Sequence, residues 1–213
     1  MRYLRILAVL GFMLVSNASF SQRANDVFNT SLPITWLGLD FSQARFIGDY
    51  YKFTSIHDAK NLIDALNDLM IKEPEKFDVA KMLGKKEAIL RVDITQKHNN
   101  ALDLALLLAD STGQHNHLKK EDIETIVKFY DFKGLKGLGV MINVETFNRK
   151  IPMALVWVTF VNIGTGEVIF TEKLEQPPAG FGIRNYWAGA IYETMVRVRK
   201  KELKKWQLLY MNK

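Results

Sequence analysis

Four side chains that could bind a ligand follow one another directly in the sequence. After two prolines and two glycines come an arginine, an amide and two aromatic rings, Arg184, Asn185, Tyr186 and Trp187. Proline stiffens the chain and glycine permits positive φ, so this segment should form a defined corner. The four side chains could line a groove and bind by stacking and hydrogen bonding. The alternative is a structural corner in which Asn185 caps a helix and the rings seal the sheet edge.

A second candidate site is the cationic segment near the C-terminus. Six basic side chains lie within it: Arg197, Arg199, Lys200, Lys201, Lys204 and Lys205. Trp206, Leu209 and Tyr210 follow, so the segment could be a basic amphipathic helix that contacts lipopolysaccharide or acidic lipid. The alternative is a solvated helix end, whose cations suit the negative end of the helix dipole.

Metal, cofactor and catalytic motifs give no support for an enzyme. His115 and His117, with Asp110 nearby, could offer metal ligands, but a polar loop without a helix predicts a solvated segment and no metal site. The glycines between Gly134 and Gly139 follow a helix and precede a strand, which is the reverse of a phosphate-binding loop. A Gly-x-Ser-x-Gly elbow and a His-Glu-x-x-His helix are both missing. We therefore predict no catalytic residue and no cofactor.

Composition indicates a globular protein that depends on its core for stability. The chain has 213 residues, 48% of them hydrophobic, and it contains no cysteine. Its formal charge is +6, and Arg2 and Arg5 account for two of those charges. The remaining mild excess fits anionic surfaces or glycans as partners, and it does not indicate nucleic acid.

The N-terminal segment Met1–Ser21 has the form of a secretory signal. A positive start precedes an apolar stretch, Ile6–Val15, and Ser19-Phe20-Ser21 provides small residues before a cleavage site. The apolar stretch is too short to span a bilayer comfortably. We predict a periplasmic or secreted protein after cleavage near Ser21, with residues 22–33 as a linker.

Three successive strands should form the centre of the fold and position the candidate sites. Alternating apolar residues from Leu138 to Glu145 indicate a half-buried strand. The apolar segment Ala154–Val161, rich in β-branched and aromatic residues, indicates a central strand. A turn at Asn162–Gly166 then leads into a return strand, Glu167–Leu174. Such short connections require antiparallel pairing.

The remaining segments complete and cover this sheet. Residues 34–41 and 88–95 predict further strands, and Pro74 and Gly84 bracket a short helix. Residues 99–110 favour helix by composition, although tertiary context could override it. Helices are predicted at Ile56–Met70, Leu118–Tyr130 and Asn185–Lys200. The fold class is α+β: a mixed, largely antiparallel sheet of about five strands, with helices mainly on one face, as one domain over 34–206 and a tail at 207–213.

The element order and the hairpin from Val161 to Thr171 resemble the α+β domain shared by the TolB N-terminal domain, the curli secretion pore protein and related bacterial envelope proteins. Asn162 stands where those proteins often carry an aspartate. The leader is also similar to those of exported proteins from Gram-negative Bacteroidetes-type bacteria. The resemblance implies an envelope role in scaffolding or binding without catalysis, and it transfers no functional residue.

Together these features predict an exported, non-enzymatic envelope module that binds an envelope protein or a glycan and contacts anionic lipid peripherally. The alternative is a hydrolase that acts on an envelope glycan or peptide. Converging carboxylates would favour the hydrolase, whereas an exposed strand edge or apolar patch would favour the binding module.

Overall fold

The computed structural model describes residues 23–48, 53, 55–108 and 114–211. The predicted leader Met1–Ser21 lies outside the described residues. Within them, no helix combines the length and the apolar character needed to cross a membrane.

Six strands form one mixed sheet, as the sequence predicts for the α+β class. They are β1 (Ile34–Asp40), β2 (Arg45–Ile47), β3 (Ala88–Leu90), β4 (Leu138–Asn148), β5 (Met153–Asn162) and β6 (Glu167–Gln176). The strand order is β3-β1-β4-β5-β6, and β2 pairs with the far end of β4. The meander β4-β5-β6 is antiparallel, whereas β1 and β2 pair with β4 in parallel, as β3 does with β1.

Eight helices in the described residues connect and cover these strands. They are α1 (Ala24–Phe28), α2 (Ile56–Lys72), α3 (Val79–Leu83), α4 (Asp93–Asn99), α5 (Leu104–Leu107), α6 (Lys120–Lys128), α7 (Ile183–Arg197) and α8 (Leu203–Tyr210), with a π-helical turn at Val198–Glu202 between the last two. The capping box predicted from Ser55 and Asp58 is present at the start of α2. α3 begins after Asp78 and not at Pro74, because the Asp78 carboxylate accepts the N–H of Lys81.

The two faces of the sheet are covered unequally. The larger core lies on the first face, where α2, α7 and α8 pack, and it contains Trp36, Trp187 and Trp206. The second face carries a smaller cluster under α6, in which Trp157 is 7% exposed. The helices therefore lie mainly on one face, and the second face is shared between apolar and polar side chains.

Residues 88–95, predicted to be one strand, form two different elements. The strand β3 ends at Leu90, and α4 begins at Asp93. Arg91 donates to both oxygens of Asp93, and a carboxylate in the first turn suits the positive end of the helix dipole. The strand prediction is confirmed for Ala88–Leu90 and wrong for the rest of the segment, and β3 is a short edge strand with Ile89 45% exposed. The ambiguous segment 99–110 contains the end of α4 and the short α5.

The segments expected as linker and tail both pack on the domain. In the former, α1 places Val27 in the core, and the ring of Phe28 stacks on Phe170 at 5.9 Å between centroids. In the latter, α8 continues to Tyr210, whose ring stacks on the same Phe170 at 4.2 Å. Among the described residues, packed structure therefore reaches beyond 34–206 in both directions.

Candidate functional site

The corner before α7 is built by tight packing between backbone segments. Gly180 has φ +133°, and a Cβ there would lie 2.6 Å from the carbonyl oxygen of Asn185. Gly189, on α7, lies directly against the carbonyl of Ala179, so a side chain would not fit there either. These contacts fix the corner to the helix. α7 begins at Ile183 with Gly182 as its N-cap, so Asn185 is not the cap that the sequence predicts.

The four predicted ligand-binding residues divide between the core and the surface. Trp187 is fully buried, and its ring stacks on Phe147 at 4.4 Å. Trp187 therefore supports the structural corner and does not line a groove. Arg184 and Asn185 are exposed, and Arg184 Nε donates to Asn185 Oδ1 at 3.1 Å. Tyr186 is half-buried, and its ring lies 4.5 Å from the Arg149 guanidinium carbon.

A groove of about 460 Å³ opens beside Tyr186; we call it the corner groove. It is lined by Arg149, Gly180, Phe181, Gly182, Ile183 and Tyr186. Phe181 is 95% exposed. Sequence reasoning missed Phe181 and Arg149. An aromatic residue between two glycines was the available signal for Phe181, whereas Arg149 comes from the β4–β5 turn and only the fold brings it close.

The predicted cationic segment is divided by the π-helical turn. Arg197 pairs with the buried Glu202, donating from Nε at 2.8 Å, and also donates to the carbonyl of Glu175. Arg197 is therefore a structural residue in large part. The other five cations are exposed: Arg199, Lys200, Lys201, Lys204 and Lys205. Leu208 and Leu209 are also exposed, at 66% and 44%.

A buried carboxylate organises the second face of the sheet. The register of β4 against β5 shifts between Val144 and Thr146, which places Glu145 at a bulge. Its side chain is fully buried and accepts from the backbone of His117 and Leu118 and from the Trp157 indole. Lys173 Nζ lies 3.0 Å from its second oxygen. This group of contacts attaches the segment before α6 to the sheet.

His117 holds that segment against the β1–β2 turn. Its Nδ1 lies 2.8 Å from the carbonyl oxygen of Gln114, and its Nε2 lies 3.0 Å from that of Gln43. These two contacts hold the ring between the two carbonyls. The Glu145 carboxylate lies 3.8 Å from Nδ1.

A second cavity of about 460 Å³ lies between α6 and the β1–β2 turn; we call it the α6 cavity. Its lining is Ser42, Gln43, His98, His117, Leu118, Asp122, Thr125, Ile126 and Phe129. Of these, Phe129 is 74% exposed. Sequence patterns alone do not connect these residues, because they come from four separate segments.

On the same face of the sheet, a row of hydrogen bonds crosses four strands. Asn143 donates to Asp40 at 2.7 Å and accepts from Thr159 at 2.7 Å, and Thr159 contacts Thr171 at 2.7 Å. Burial, together with the nearby Asp40 carboxylate, raises the pKa of the Tyr130 hydroxyl well above its ordinary value. The side chains of Asp40, Asn143, Thr159 and Thr171 are satisfied mainly by one another, which makes the second face rigid.

The described residues contain no group of three His, Cys, Asp or Glu side chains that could hold a metal ion. The histidine pair considered from the sequence illustrates the reason. Both ring nitrogens of His117 lie against carbonyl oxygens of the protein, so both are already engaged. Asp110, its third candidate partner, lies outside the described residues.

No family model and no curated protein matches the sequence. Among solved structures, the chain is similar to the LpoB C-terminal domain from Salmonella enterica, with 14% identity and a TM-score of 0.29, over 68% of this chain and 82% of that one. A likeness at this score carries no argument about function. The resemblance to the TolB N-terminal domain stays a prediction from the sequence.

Proposed function

We propose that the chain is an exported, non-enzymatic module of the bacterial envelope that binds another envelope protein through the corner groove. The observation that carries the proposal is Phe181, which is 95% exposed at the rim of the groove. An apolar ring in water contributes nothing to folding stability, whereas in an interface it buries its whole area.

The corner fixes the main chain on both sides of Phe181 before any partner binds. The flanking Gly180 packs against the backbone of Asn185, and Gly189 packs against Ala179. Binding through such a preorganised segment loses little conformational entropy. A mobile loop of the same composition would have to be ordered first.

The chemistry of the groove suits a protein partner. Arg149 stacks on Tyr186, and interface hot spots are enriched in arginine and tyrosine. Arg184 and Asn185 lie at the start of the same helix and supply polar groups for the rim. We therefore retain Arg184, Asn185 and Tyr186 in the proposed site, with Arg149 and Phe181 added, and we assign Trp187 to its support.

The test is a pull-down from envelope extract with wild type and Phe181→Ala. A matched control is Phe129→Ala, which removes another exposed phenylalanine, 74% exposed, from the opposite face of the sheet. We expect Phe181→Ala to lose a partner that wild type and Phe129→Ala both retain. Equal capture by all three proteins would contradict the proposal. Turnover of peptidoglycan or polysaccharide, abolished by one carboxylate change, would establish the hydrolase instead.

Export is a separate part of the proposal. It is supported by the positive start, apolar stretch and small-residue cleavage site of Met1–Ser21. Intact mass of the natively expressed protein should give an N-terminus at Gln22. A cytoplasmic protein that keeps Met1–Ser21 would refute it.

A further inference from the structure

The α6 cavity presents hydrogen-bonding groups that the fold itself does not use. In the described part of the chain, the Gln43 side-chain amide has no hydrogen-bond partner, and the His98 ring makes only a stacking contact with Tyr130 at 4.1 Å. One oxygen of Asp122 accepts the N–H of Lys119 at 2.7 Å, which leaves the other for a ligand. An amide, an imidazole and a carboxylate oxygen therefore line one opening.

The same cavity has an apolar wall. Leu118 and Ile126 line it, and Phe129 stands at the end of α6 with most of its ring in solvent. A ligand that fits must therefore offer an apolar surface to the phenylalanine and several hydroxyl or amide groups to the polar side.

Charge narrows the class of ligand further. Neither lysine nor arginine is among the described residues that line the cavity, and Asp122 is its one carboxylate. A phosphate, sulfate or carboxylate group would enter without a cationic partner, which is unfavourable. An apolar peptide side chain would leave the amide, the imidazole and the carboxylate unpaired.

We propose that the α6 cavity binds a neutral sugar. One apolar C–H face of a sugar ring stacks on Phe129, and its hydroxyl groups exchange hydrogen bonds with Gln43, His98 and Asp122. The volume of about 460 Å³ lies within the range of small-ligand pockets. This site is independent of the corner groove, because it lies on the other face of the sheet and shares no residue with it.

His117 is a positioning residue for this site. Its Nε2 holds the main chain of Gln43, whose side chain lines the cavity. Replacing the imidazole should release this part of the β1–β2 turn and thereby weaken sugar binding.

The experiment titrates purified protein with chitotriose, maltotriose, cellotriose and mannotriose by calorimetry. We expect one or more of them to bind with a Kd below about 1 mM. Phe129→Ala and Gln43→Ala should each raise that Kd by tenfold or more, whereas Phe181→Ala leaves it unchanged. Failure of all four sugars to bind, or unaltered binding by Phe129→Ala, would overturn the proposal. So would a short apolar peptide that binds at this site when the sugars do not.

The role of His117 is tested with two substitutions at that position. His117→Gln carries an amide that can still donate to the Gln43 carbonyl, whereas His117→Ala cannot. We expect His117→Ala to raise the sugar Kd and His117→Gln to restore part of the lost affinity, both measured by the same calorimetry. An unchanged Kd in His117→Ala, or equal losses in the two variants, would refute the positioning role.

Discussion

At the scale of single residues, Glu145 has the largest set of buried polar contacts on the second face. Two backbone N–H groups, the Trp157 indole and the Lys173 ammonium all meet its carboxylate. Glu145→Ala would remove the acceptor of the two N–H groups and the indole, whereas Lys173 would keep Asn116 and the carbonyl of Leu118. We expect the free energy of unfolding, measured by urea denaturation, to fall by about 3–5 kcal/mol.

Two further variants separate the charge from the shape. Glu145→Gln keeps one acceptor oxygen and the volume, so its loss should be smaller than that of Glu145→Ala. Glu167→Gln, at an exposed carboxylate, should stay within about 0.5 kcal/mol of wild type. If Glu145→Ala were as stable as Glu167→Gln, the stabilising role assigned to the Glu145 carboxylate would be wrong.

Trp157 tests the packing of the same face. It is 7% exposed, and its indole donates to Glu145 at 2.8 Å. Trp157→Asp introduces a second carboxylate beside Glu145 and empties the space under α6, so we expect a loss of about 4 kcal/mol. Trp157→Phe keeps the apolar ring and loses only the donor, at a cost of about 1 kcal/mol. A thermal midpoint of Trp157→Asp equal to that of wild type would contradict this packing.

The sequence revealed one of these two residues and not the other. Trp157 lies in the apolar stretch Ala154–Val161, whose composition predicts burial, and its burial is confirmed. Glu145 continued an alternating pattern as if it were a polar, outward residue. Glu145 lies on the face that alternation predicts, with Met141, but α6 and the segment before it cover that face and bury the carboxylate. Periodicity within a single strand does not predict which distant segments will cover it.

At the scale of elements, Lys85 fastens α1 to the domain. Its ammonium donates to the carbonyls of Asp26 and Asn29 at 2.9 and 2.7 Å. Burial lowers the pKa of Lys85 from 10.5 to about 8, against the opposing effect of Asp26. Between those pH values the unfolded chain binds more protons than the folded chain, so the contribution of Lys85 to stability rises with pH.

This contribution can be isolated with Lys85→Gln, which keeps a donor but does not titrate. Urea denaturation of both proteins at pH 7.5 and pH 10 gives two differences in unfolding free energy. We expect the unfolding free energy of wild type, relative to that of Lys85→Gln, to be higher at pH 10 than at pH 7.5. Lys97→Gln, an exposed lysine on α4, provides a control for the general change of charge. A shift towards the variant would show that the amine is solvated in the folded protein.

The π-helical turn sets which face of α8 meets the sheet. One extra residue in this turn rotates the following side chains about the helix axis. In this orientation Trp206 is buried and Tyr210 stacks on Phe170. Deleting Lys201 should restore a regular α-helix and rotate α8 by about 100°. Trp206 would then move towards solvent, and its fluorescence maximum should shift to longer wavelength. Lys201→Ala keeps the turn, so its spectrum should match that of wild type.

The elements that could be predicted from the sequence are the strands that pair with their neighbours in the chain. The hairpins of β4, β5 and β6 follow from alternation and turn residues, and the structure contains them. The end of β3 and the start of α4 could not be predicted, because they depend on the Arg91–Asp93 pair and on the position of β3 at the edge of the sheet. The phase of α8 depends on one inserted residue, which hydrophobic spacing over Leu203–Tyr210 alone does not reveal.

At the scale of the whole molecule, one end of the domain is a cationic surface. Lys200, Lys201, Lys204 and Lys205 are exposed there with Leu208. We propose that this end contacts an anionic surface, as the sequence predicts. Each cation contributes about 1 kcal/mol at best, and the attraction decays within a Debye length of about 10 Å at 0.1 M salt.

Co-sedimentation with anionic vesicles at low and high salt tests this contact. We expect binding at low salt that disappears at high salt, and loss of binding when the four lysines become glutamine. The matched control changes four exposed lysines near the opposite face of the sheet to glutamine: Lys119, Lys120, Lys128 and Lys136. If both quadruple variants lost the same fraction of binding, net charge and not this surface would be responsible.

The parallel pairing of β1 with β4 has a consequence for biosynthesis. Asp40 and Asn143, bonded side by side, are 103 positions apart, whereas β4, β5 and β6 are neighbours in sequence. Contacts close in sequence form faster than distant ones, so the meander should assemble first. β1 leaves the ribosome early, yet its partner strand is made long afterwards. During that interval, which would include any passage across a membrane, the open edge of β4 and the apolar β1 are the segments most exposed to aggregation and most in need of a chaperone.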